Sequence, residues 1–234
     1  MILCDFDGTI TRQDTLVKIL DKFAGRKWHR IEKNILKEEF DNRLGLKQEF
    51  ALCDPKKTTK EQIIRLLNND IDIDPYFKPF LEFCGREGYE FVIVSGGFSL
   101  CIDTILKKYN LGSIPYYSNK LLFEKNKLEI ENPYSSDECN LCGNCKTMHL
   151  RRRRALGYYI IYIGDSTTDR CPVKYADLAF TKSHLTDYCV KENIPHLPYN
   201  DFSDIQAYLS ETTEKENEKD NILINRTVIG GSCC

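Results

Sequence analysis

Two aspartates near the beginning of the chain are the residues whose type and spacing most directly suggest chemistry. Asp5 and Asp7 follow an apolar run that starts at Met1, and Gly8 and Thr9 come directly after them. On a β-strand, residues two apart point to the same face, so both carboxylates would lie on one side. Burying two acids there is unfavourable unless a cation or a reacting group needs them. A solvated loop could carry the same pattern, so the pair alone leaves both interpretations open.

Two further polar groups follow strand-like runs later in the chain. The stretch Ser95-Gly96-Gly97 follows the run from Tyr89 to Val94, and Asp165 and Asp169 follow the run from Tyr158 to Ile163. In a parallel α/β sheet, ligands bind beyond the carboxyl ends of the strands. We therefore expect all three polar groups to meet at one edge of a sheet.

Carboxylates gathered at one point would repel each other unless a hard cation lies among them, and Mg²⁺ suits carboxylates and substrate phosphate. One aspartate could then act as a nucleophile, and a second, two residues on, could protonate the leaving oxygen. Ser95, the N–H groups of Gly96 and Gly97, and one lysine could bind the phosphoryl oxygens. Thr9 is also expected to contact the phosphate, through its hydroxyl or its backbone N–H. Lys146, which precedes Asp165, is the best candidate for that lysine.

Strand-like and helical segments alternate along the chain, which predicts an α/β fold with a parallel sheet covered on both faces. Residues 15–74 are predicted to form an inserted helical bundle, with Thr58 and Glu61 as a capping box. Residues 1–14 and 75–209 would form the α/β core, with a hairpin over 116–131 and a short last strand from Leu178 to Phe180. The polar stretch 210–234 is predicted to be a disordered tail.

Taken together, these motifs resemble those of the haloacid dehalogenase-like (HAD-like) phosphatases, in that family's order and over about residues 1–209. The matching motifs are Asp5-Phe6-Asp7-Gly8-Thr9, Ser95-Gly96-Gly97, Lys146 and the stretch from Gly164 to Asp169. The resemblance implies a Rossmann-like core. It also implies that the inserted helices are a cap of the kind found in the subfamily that includes phosphoserine phosphatase.

The same resemblance implies a role for each motif residue. Asp5 would be the nucleophile and Asp7 the general acid and base, while the serine and lysine motifs would hold the phosphoryl group. Asp5, Asp165 and the backbone carbonyl of Asp7 would bind Mg²⁺, and Asp169 would support the metal site.

Within the subfamily, the chain is similar both to phosphatases of methionine salvage and to phosphoethanolamine/phosphocholine phosphatases. The resemblance to the methionine-salvage phosphatases rests on Asp14, on the cysteine cluster that ends at Cys145 before the motif lysine, and on the stretch from His196 to Phe202. The phosphoethanolamine/phosphocholine phosphatases share the cysteine before that lysine. The expected substrate is a small phosphorylated metabolite, first 2-hydroxy-3-keto-5-methylthiopentenyl-1-phosphate, with phosphoethanolamine, phosphocholine or phosphoserine as alternatives. An alternative of another class is a non-catalytic metal-binding or redox scaffold built on a cysteine cluster.

That cluster has the spacing Cys139-x-x-Cys142-x-x-Cys145, which could contribute to a structural Zn²⁺ site. A closed zinc site needs four ligands, and the fourth would have to be His149, Asp137 or Cys171. Reduced thiols in a turn are the alternative. Asp14 also has two interpretations, since it could contact substrate or simply cap the helix that follows it.

Composition limits the other possibilities. A net charge of −2 and a pI near 6.1 give no electrostatic case for binding nucleic acid or an anionic membrane. Strand-like sequence begins at Met1 without a basic, apolar leader, so we expect a cytoplasmic protein whose eleven cysteines are reduced. The four consecutive side chains from Arg151 to Arg154 would point nearly all the way around a helix, so we expect them to be solvated. Oligomeric state is left open, and Cys233 and Cys234 are expected to be exposed thiols.

Overall fold

A seven-stranded sheet forms the centre of the protein, in a computed structural model that describes residues 1–36, 42–125, 127–136 and 141–212. The strands are β1 (Ile2–Cys4), β2 (Phe91–Phe98), β3 (Tyr116–Glu124), β4 (Lys127–Glu131), β5 (Ile161–Gly164), β6 (Leu178–Thr181) and β7 (Leu197–Pro198). Their order across the sheet is β4-β3-β2-β1-β5-β6-β7. All neighbouring strands are parallel except β3 and β4, which form the predicted antiparallel hairpin. The predicted α/β fold class is therefore confirmed.

Helices surround this sheet and also fill the segment between β1 and β2. They are α1 (Thr15–Phe23), α2 (Trp28–Leu36), α3 (Asn42–Phe50), α4 (Lys60–Asp70), α5 (Phe77–Arg86), α6 (Ser99–Lys108), α7 (Lys146–Ala155), α8 (Ser183–Lys191) and α9 (202–212). We call α1 to α4 the inserted helices. Within this group α2 packs on α3 and α1 packs on α4, and α4 also packs against α6 of the sheet layer. No helix in the described part of the chain is long and apolar enough to cross a membrane.

The structure corrects three local predictions. Thr59, not Thr58, caps α4, because its side chain accepts from the N–H of Gln62 at 3.3 Å, whereas the Thr58 hydroxyl donates to the carbonyl of Asp54 at 2.9 Å. Strand β2 does not end at Val94 but continues through the Ser-Gly-Gly stretch to Phe98, with a shift in its register against β3. A further strand, β7, follows β6; it has only two residues and contains a proline, so its sequence resembles a loop.

Strand β1 lies at the middle of the sheet and is wholly buried, as its continuous apolar sequence predicts. Because side chains alternate along a strand, Ile2 and Cys4 pack into the core on one face of the sheet and Leu3 packs on the other. On that second face Leu3 belongs to the same cluster as Leu150 of α7 and Tyr162 of β5. The strand that carries the first aspartate pair is therefore fixed from both sides.

An aromatic cluster attaches the last described helix to the core. The ring of Phe202 in α9 lies 5.0 Å from the Phe77 ring and 5.1 Å from the Phe80 ring, both in α5, and all three side chains are fully buried. Burial of this apolar area stabilises the α5–α9 contact. The predicted disordered tail begins too early, because residues 210–212 belong to α9; the rest of that tail, from residue 213 onward, lies outside the described residues.

We predict that Phe202→Ala lowers the free energy of unfolding by about 3–5 kcal/mol, because it leaves a cavity among buried rings. Urea denaturation followed by circular dichroism measures this change. Val190 is 64% exposed, so Val190→Ala is the control and should change stability by less than about 0.5 kcal/mol. Equal stability of the two variants would show that α9 does not depend on the aromatic cluster.

Candidate active site

The sheet topology brings the predicted motifs to one edge. Strands β2 and β5 both pair in parallel with β1, so the segments after β1 and β5 and the distal part of β2 lie side by side. The backbone N–H of Asp5 donates to the carbonyl of Ile163 at 2.9 Å, which ties the first aspartate to the end of β5. Asp165 follows one residue beyond that strand.

An acidic cluster and one lysine occupy this edge. Carboxylate oxygens of Asp5, Asp165 and Asp169 lie within 4.8 Å of one another. The Nζ of Lys146 lies 2.7 Å from Oδ1 of Asp5 and 2.7 Å from Oδ1 of Asp169, and it donates to the Thr168 hydroxyl at 3.1 Å. The structure thus brings together residues from three of the four predicted motifs.

The charges of this cluster do not balance. Burial, and next the charge of Asp169, raises the pKa of Asp5 well above its usual value, and the same two causes raise the pKa of Asp165 to about 6. Burial alone would lower the pKa of Lys146, but the charges of Asp169 and Asp5 raise it. Lys146 is thus in contact with two of the three acids, and the charge of Lys182 also acts on Asp165. Two ammonium groups act on three acids, and the donor set is all oxygen, as a hard divalent cation requires.

Asp7 lies apart from this cluster and points towards the inserted helices. Its Oδ1 accepts hydrogen bonds from the backbone N–H of Thr15 at 2.9 Å and from the Thr15 hydroxyl at 2.6 Å, and its Oδ2 accepts from the Ser95 hydroxyl at 3.4 Å. Burial raises the pKa of Asp7, although the bonds from Thr15 oppose that shift. A carboxyl that holds its proton more tightly than usual is suited to proton transfer.

Two glycines allow the close approaches that this geometry needs. Gly8 has a φ of +74°, and a Cβ there would lie 2.5 Å from Oδ2 of Asp165. A Cβ on Gly97 would lie 2.6 Å from Oδ2 of Asp7. Any side chain at these positions would displace a site carboxylate.

Two asparagines that belong to none of the predicted motifs hold the Ser-Gly-Gly stretch. The amide of Asn144 donates to the carbonyls of Ser95 and Tyr117 at 2.8 and 2.9 Å, and the amide of Asn119 donates to the carbonyl of Gly96 at 2.7 Å. With these carbonyls satisfied, the orientation of the peptide groups beside the site is fixed. The asparagines contact the stretch only through tertiary structure, so no local spacing reveals them.

His149 in turn orients Asn144. Its Nε2 lies 2.7 Å from Oδ1 of Asn144, so it donates there, because the Asn144 amide nitrogen already donates to two carbonyls. The His149 ring stacks on Tyr117 with 4.1 Å between centroids. Burial, followed by the charges of Arg152 and Arg153, lowers the pKa of His149 to about 4, so the ring is neutral.

This contact bears on the predicted zinc site. His149, one proposed fourth ligand, has its Nε2 engaged by Asn144, while Cys139 and Asp137 lie outside the described residues. Cys145 is buried directly before α7, and Cys142 lines the cavity described below. Structural zinc therefore stays a prediction.

The two remaining predicted contacts both have protein partners. Asp14 caps α1 by accepting from the N–H groups of Leu16 and Val17 at 2.8 and 3.0 Å, as one of its two interpretations expects, and it also borders the cavity. The hydroxyl of Thr9 donates to Oδ1 of Asp165 at 2.7 Å. Its side chain therefore positions a cluster carboxylate in this structure.

A cavity of about 200 Å³ opens beside these groups. One end of the cavity is lined by Asp5, Asp7, Lys146 and the two glycines of the second motif. The opposite wall comes from the inserted helices and includes the apolar side chains Leu16, Val17, Leu20, Trp28 and Leu46. The reactive edge thus faces a mainly apolar compartment.

Fold and site together match those expected of a HAD-like phosphatase. The model of the family described as "Putative Phosphatase" matches residues 1–224, and the chain belongs to that family. It is 33% identical over 217 residues to the 2-hydroxy-3-keto-5-methylthiopentenyl-1-phosphate phosphatase of Brevibacillus brevis, covering 92% of this chain and 97% of the relative. The enzyme of that name from Bacillus cytotoxicus is 34% identical over 218 residues, covering 91% and 97%.

A solved structure supports the fold. A phospho-aspartyl intermediate analogue of phosphoserine phosphatase superimposes with a TM-score of 0.67, covering 88% of this chain and 97% of that one, at 20% identity. The chain is therefore a phosphoric monoester hydrolase, and these findings favour an enzyme over a non-catalytic scaffold.

We predict that Gly97→Ala lowers kcat/KM by about 100-fold, because the new methyl group displaces the Asp7 carboxylate from its place near the reacting atoms. Hydrolysis of p-nitrophenyl phosphate measures the effect. Gly85→Ala is the matched control, since a Cβ there meets nothing within 4 Å. Unchanged kinetics for Gly97→Ala would contradict the assigned geometry.

We also predict a pH effect on stability that depends on His149. The unfolded chain protonates this ring near its ordinary pKa of 6.5, but the folded chain does so only near 4. Stability from this group is therefore complete above pH 6.5 and is lost as the pH falls towards 4, by about 3 kcal/mol. Urea denaturation at pH 6.5 and at pH 4 measures the loss of unfolding free energy. This loss should be smaller by about 3 kcal/mol in His149→Gln than in the unaltered chain. Equal losses in the two proteins would show that the ring is not held neutral.

Proposed function

We propose that this phosphatase hydrolyses 2-hydroxy-3-keto-5-methylthiopentenyl-1-phosphate through an aspartyl-phosphate on Asp5. The single observation that carries the catalytic part is the contact of Lys146 with both Asp5 and Asp169 at 2.7 Å. The substrate rests on relatives more than 30% identical over most of their length that carry this name. The apolar wall of the cavity fits a methylthio group.

Asp5 is oriented for attack on phosphorus. Its Oδ1 accepts from the N–H of Phe6 at 2.7 Å and from Lys146, so Oδ2 is the oxygen available to form the bond to phosphorus. As that bond forms, the ester P–O bond breaks and Asp7 gives its proton to the leaving oxygen. Water then attacks phosphorus, Asp7 takes up a proton, and the bond to Asp5 breaks to release inorganic phosphate.

Mg²⁺ is the cofactor that the acidic cluster suits best. Asp5, Asp165 and the backbone carbonyl of Asp7 would hold the ion, and Asp169 would support Lys146 and the cluster. When bound, the ion neutralises charge on the transferring phosphoryl group. Ser95 and the N–H groups of Gly96 and Gly97 would bind the remaining phosphoryl oxygens.

The inserted helices act as a cap in this proposal. Residues 15–74 form the unit that covers the site, and residues 1–14 and 75–209 form the core beneath it. The cap wall contacts the leaving group, while the core edge holds the phosphate, so water is kept from the reacting atoms. The buried thiols of Cys4, Cys84 and Cys101 support a cytoplasmic location.

A second candidate substrate is an amine-bearing phosphomonoester such as phosphoethanolamine or phosphocholine. The observation that favours it is the acidic part of the cavity wall, where Asp14, Glu32 and Glu49 occur together. A cationic leaving group would lower the raised pKa values of Asp14 and Glu49 and would be attracted to the ionised carboxylates.

A substrate panel with purified protein and Mg²⁺ separates the candidates. We predict that kcat/KM for the keto-phosphate exceeds that for phosphoethanolamine, phosphocholine and phosphoserine by at least about tenfold, because its leaving group fits an apolar wall. EDTA should abolish activity, and added Mg²⁺ should restore it. Asp5→Asn should lower kcat by about 10³-fold or more, whereas the exposed Asp70→Asn should not. A faster reaction with an amine substrate would overturn the substrate assignment, and an active Asp5→Asn would overturn the intermediate.

A further inference from the structure

One side chain of the cavity wall has no role in the chemistry described so far. Glu49, on α3, is only 6% exposed, yet it lines the cavity that contains Asp5 and Lys146. Among the described residues, none forms a hydrogen bond or an ion pair with its carboxyl group. A carboxyl group that faces a cavity and has no protein partner is available to a molecule that occupies the cavity.

The surroundings of Glu49 determine which form of the carboxyl a ligand meets. Burial, followed by the charges of Glu32 and Asp14, raises the pKa of Glu49 to about 8. At neutral pH the group therefore retains its proton, and a neutral carboxylic acid can both donate and accept a hydrogen bond.

Other groups of the same wall are less suited to this task. Glu32 is 39% exposed at its side chain and lies 3.8 Å from His29, and Asp14 already caps α1. Leu46 on the same helix and Trp28 on α2 supply apolar surface to this wall, and Asn42 and Arg43 of α3 also line it. A hydrogen-bonding group beside apolar side chains can select one polar position on an otherwise apolar leaving group.

We propose that Glu49 determines the specificity of this site by forming a hydrogen bond, as an uncharged acid, with a carbonyl or hydroxyl oxygen of the leaving group. This inference rests on the proposed function, since it assumes that the leaving group occupies the compartment beneath the inserted helices. It adds a substrate class: phosphomonoesters whose leaving group is uncharged, apolar at its far end and carries an oxygen that Glu49 can reach. A leaving group with an ammonium group does not fit this interaction.

The test compares two Glu49 variants on two substrates, using the full chain with Mg²⁺. For the keto-phosphate, Glu49→Leu should raise KM about tenfold or more while kcat changes little, because the substrate oxygen is left unpaired. Glu49→Gln keeps an uncharged hydrogen-bonding group and should stay within about threefold of the unaltered chain. For phenyl phosphate, whose leaving group offers no such oxygen, neither variant should change KM.

Gln48→Leu is the control for effects on α3, since Gln48 does not line the cavity. Circular dichroism and thermal unfolding show whether each variant is folded, and Glu49→Gln keeps the test valid if Glu49→Leu is not. Equal effects of Glu49→Leu on both substrates, or none, would overturn the role of Glu49. A Glu49→Gln variant as impaired as Glu49→Leu would also overturn it, because it would require a charged carboxylate.

The two proposals fail in different ways. If the unaltered chain hydrolyses phenyl phosphate but not the keto-phosphate, the substrate assignment is wrong. If it hydrolyses both, and KM for the keto-phosphate is unchanged in Glu49→Leu, only the Glu49 inference is wrong.

Discussion

The Lys146 ammonium, buried between two carboxylates, is the interaction on which the rest of the structure depends. It lies 2.7 Å from both Asp5 and Asp169, and all three side chains are almost completely removed from solvent. A buried ion pair of this kind is favourable only when its geometry is accurate and its remaining hydrogen bonds are made. The hydroxyls of Thr168 and Tyr162 complete the set, since Tyr162 donates to Asp169 at 2.6 Å. The excess negative charge that remains is what makes the edge suitable for a cation and a phosphoryl group.

The sheet and its helices supply the accuracy that this interaction requires. The acids come from the ends of two adjacent buried strands, and the lysine comes from the first residue of α7, whose Leu150 packs on the sheet. The Asn119 and Asn144 amides fix the second motif from the other side. The inserted helices contribute the far wall of the cavity. In the proposed function, chemistry and substrate selection therefore reside on separate parts of the chain.

Much of this arrangement could be predicted from the sequence because the rules involved are local or topological. Apolar runs followed by acids or glycines predicted the parallel strands, and the rule for the carboxyl ends of such strands placed the motifs together. The supporting residues could not be predicted in that way. Asn144 contacts Ser95 across 49 residues and Asn119 contacts Gly96 across 23, so neither pair has a sequence spacing that indicates it. Glu49 likewise resembles any helix-surface glutamate until the packing of α1, α2 and α3 shows that it is buried. Errors at strand ends, as at Val94, arose because glycines predict a turn where tertiary pairing continues the strand.

The position of β1 at the centre of the sheet also has a consequence for biosynthesis. Its two neighbours, β2 and β5, lie about 90 and 160 residues further along the chain. A nascent chain emerging from the ribosome therefore presents Ile2, Leu3 and Cys4 long before either partner strand has been translated. Such distant pairings close slowly, because the loop entropy must be overcome before the contacts form. Asp5, the proposed nucleophile, is thus translated well before the acids that complete its surroundings, Asp165 and Asp169, which lie about 160 residues further along the chain.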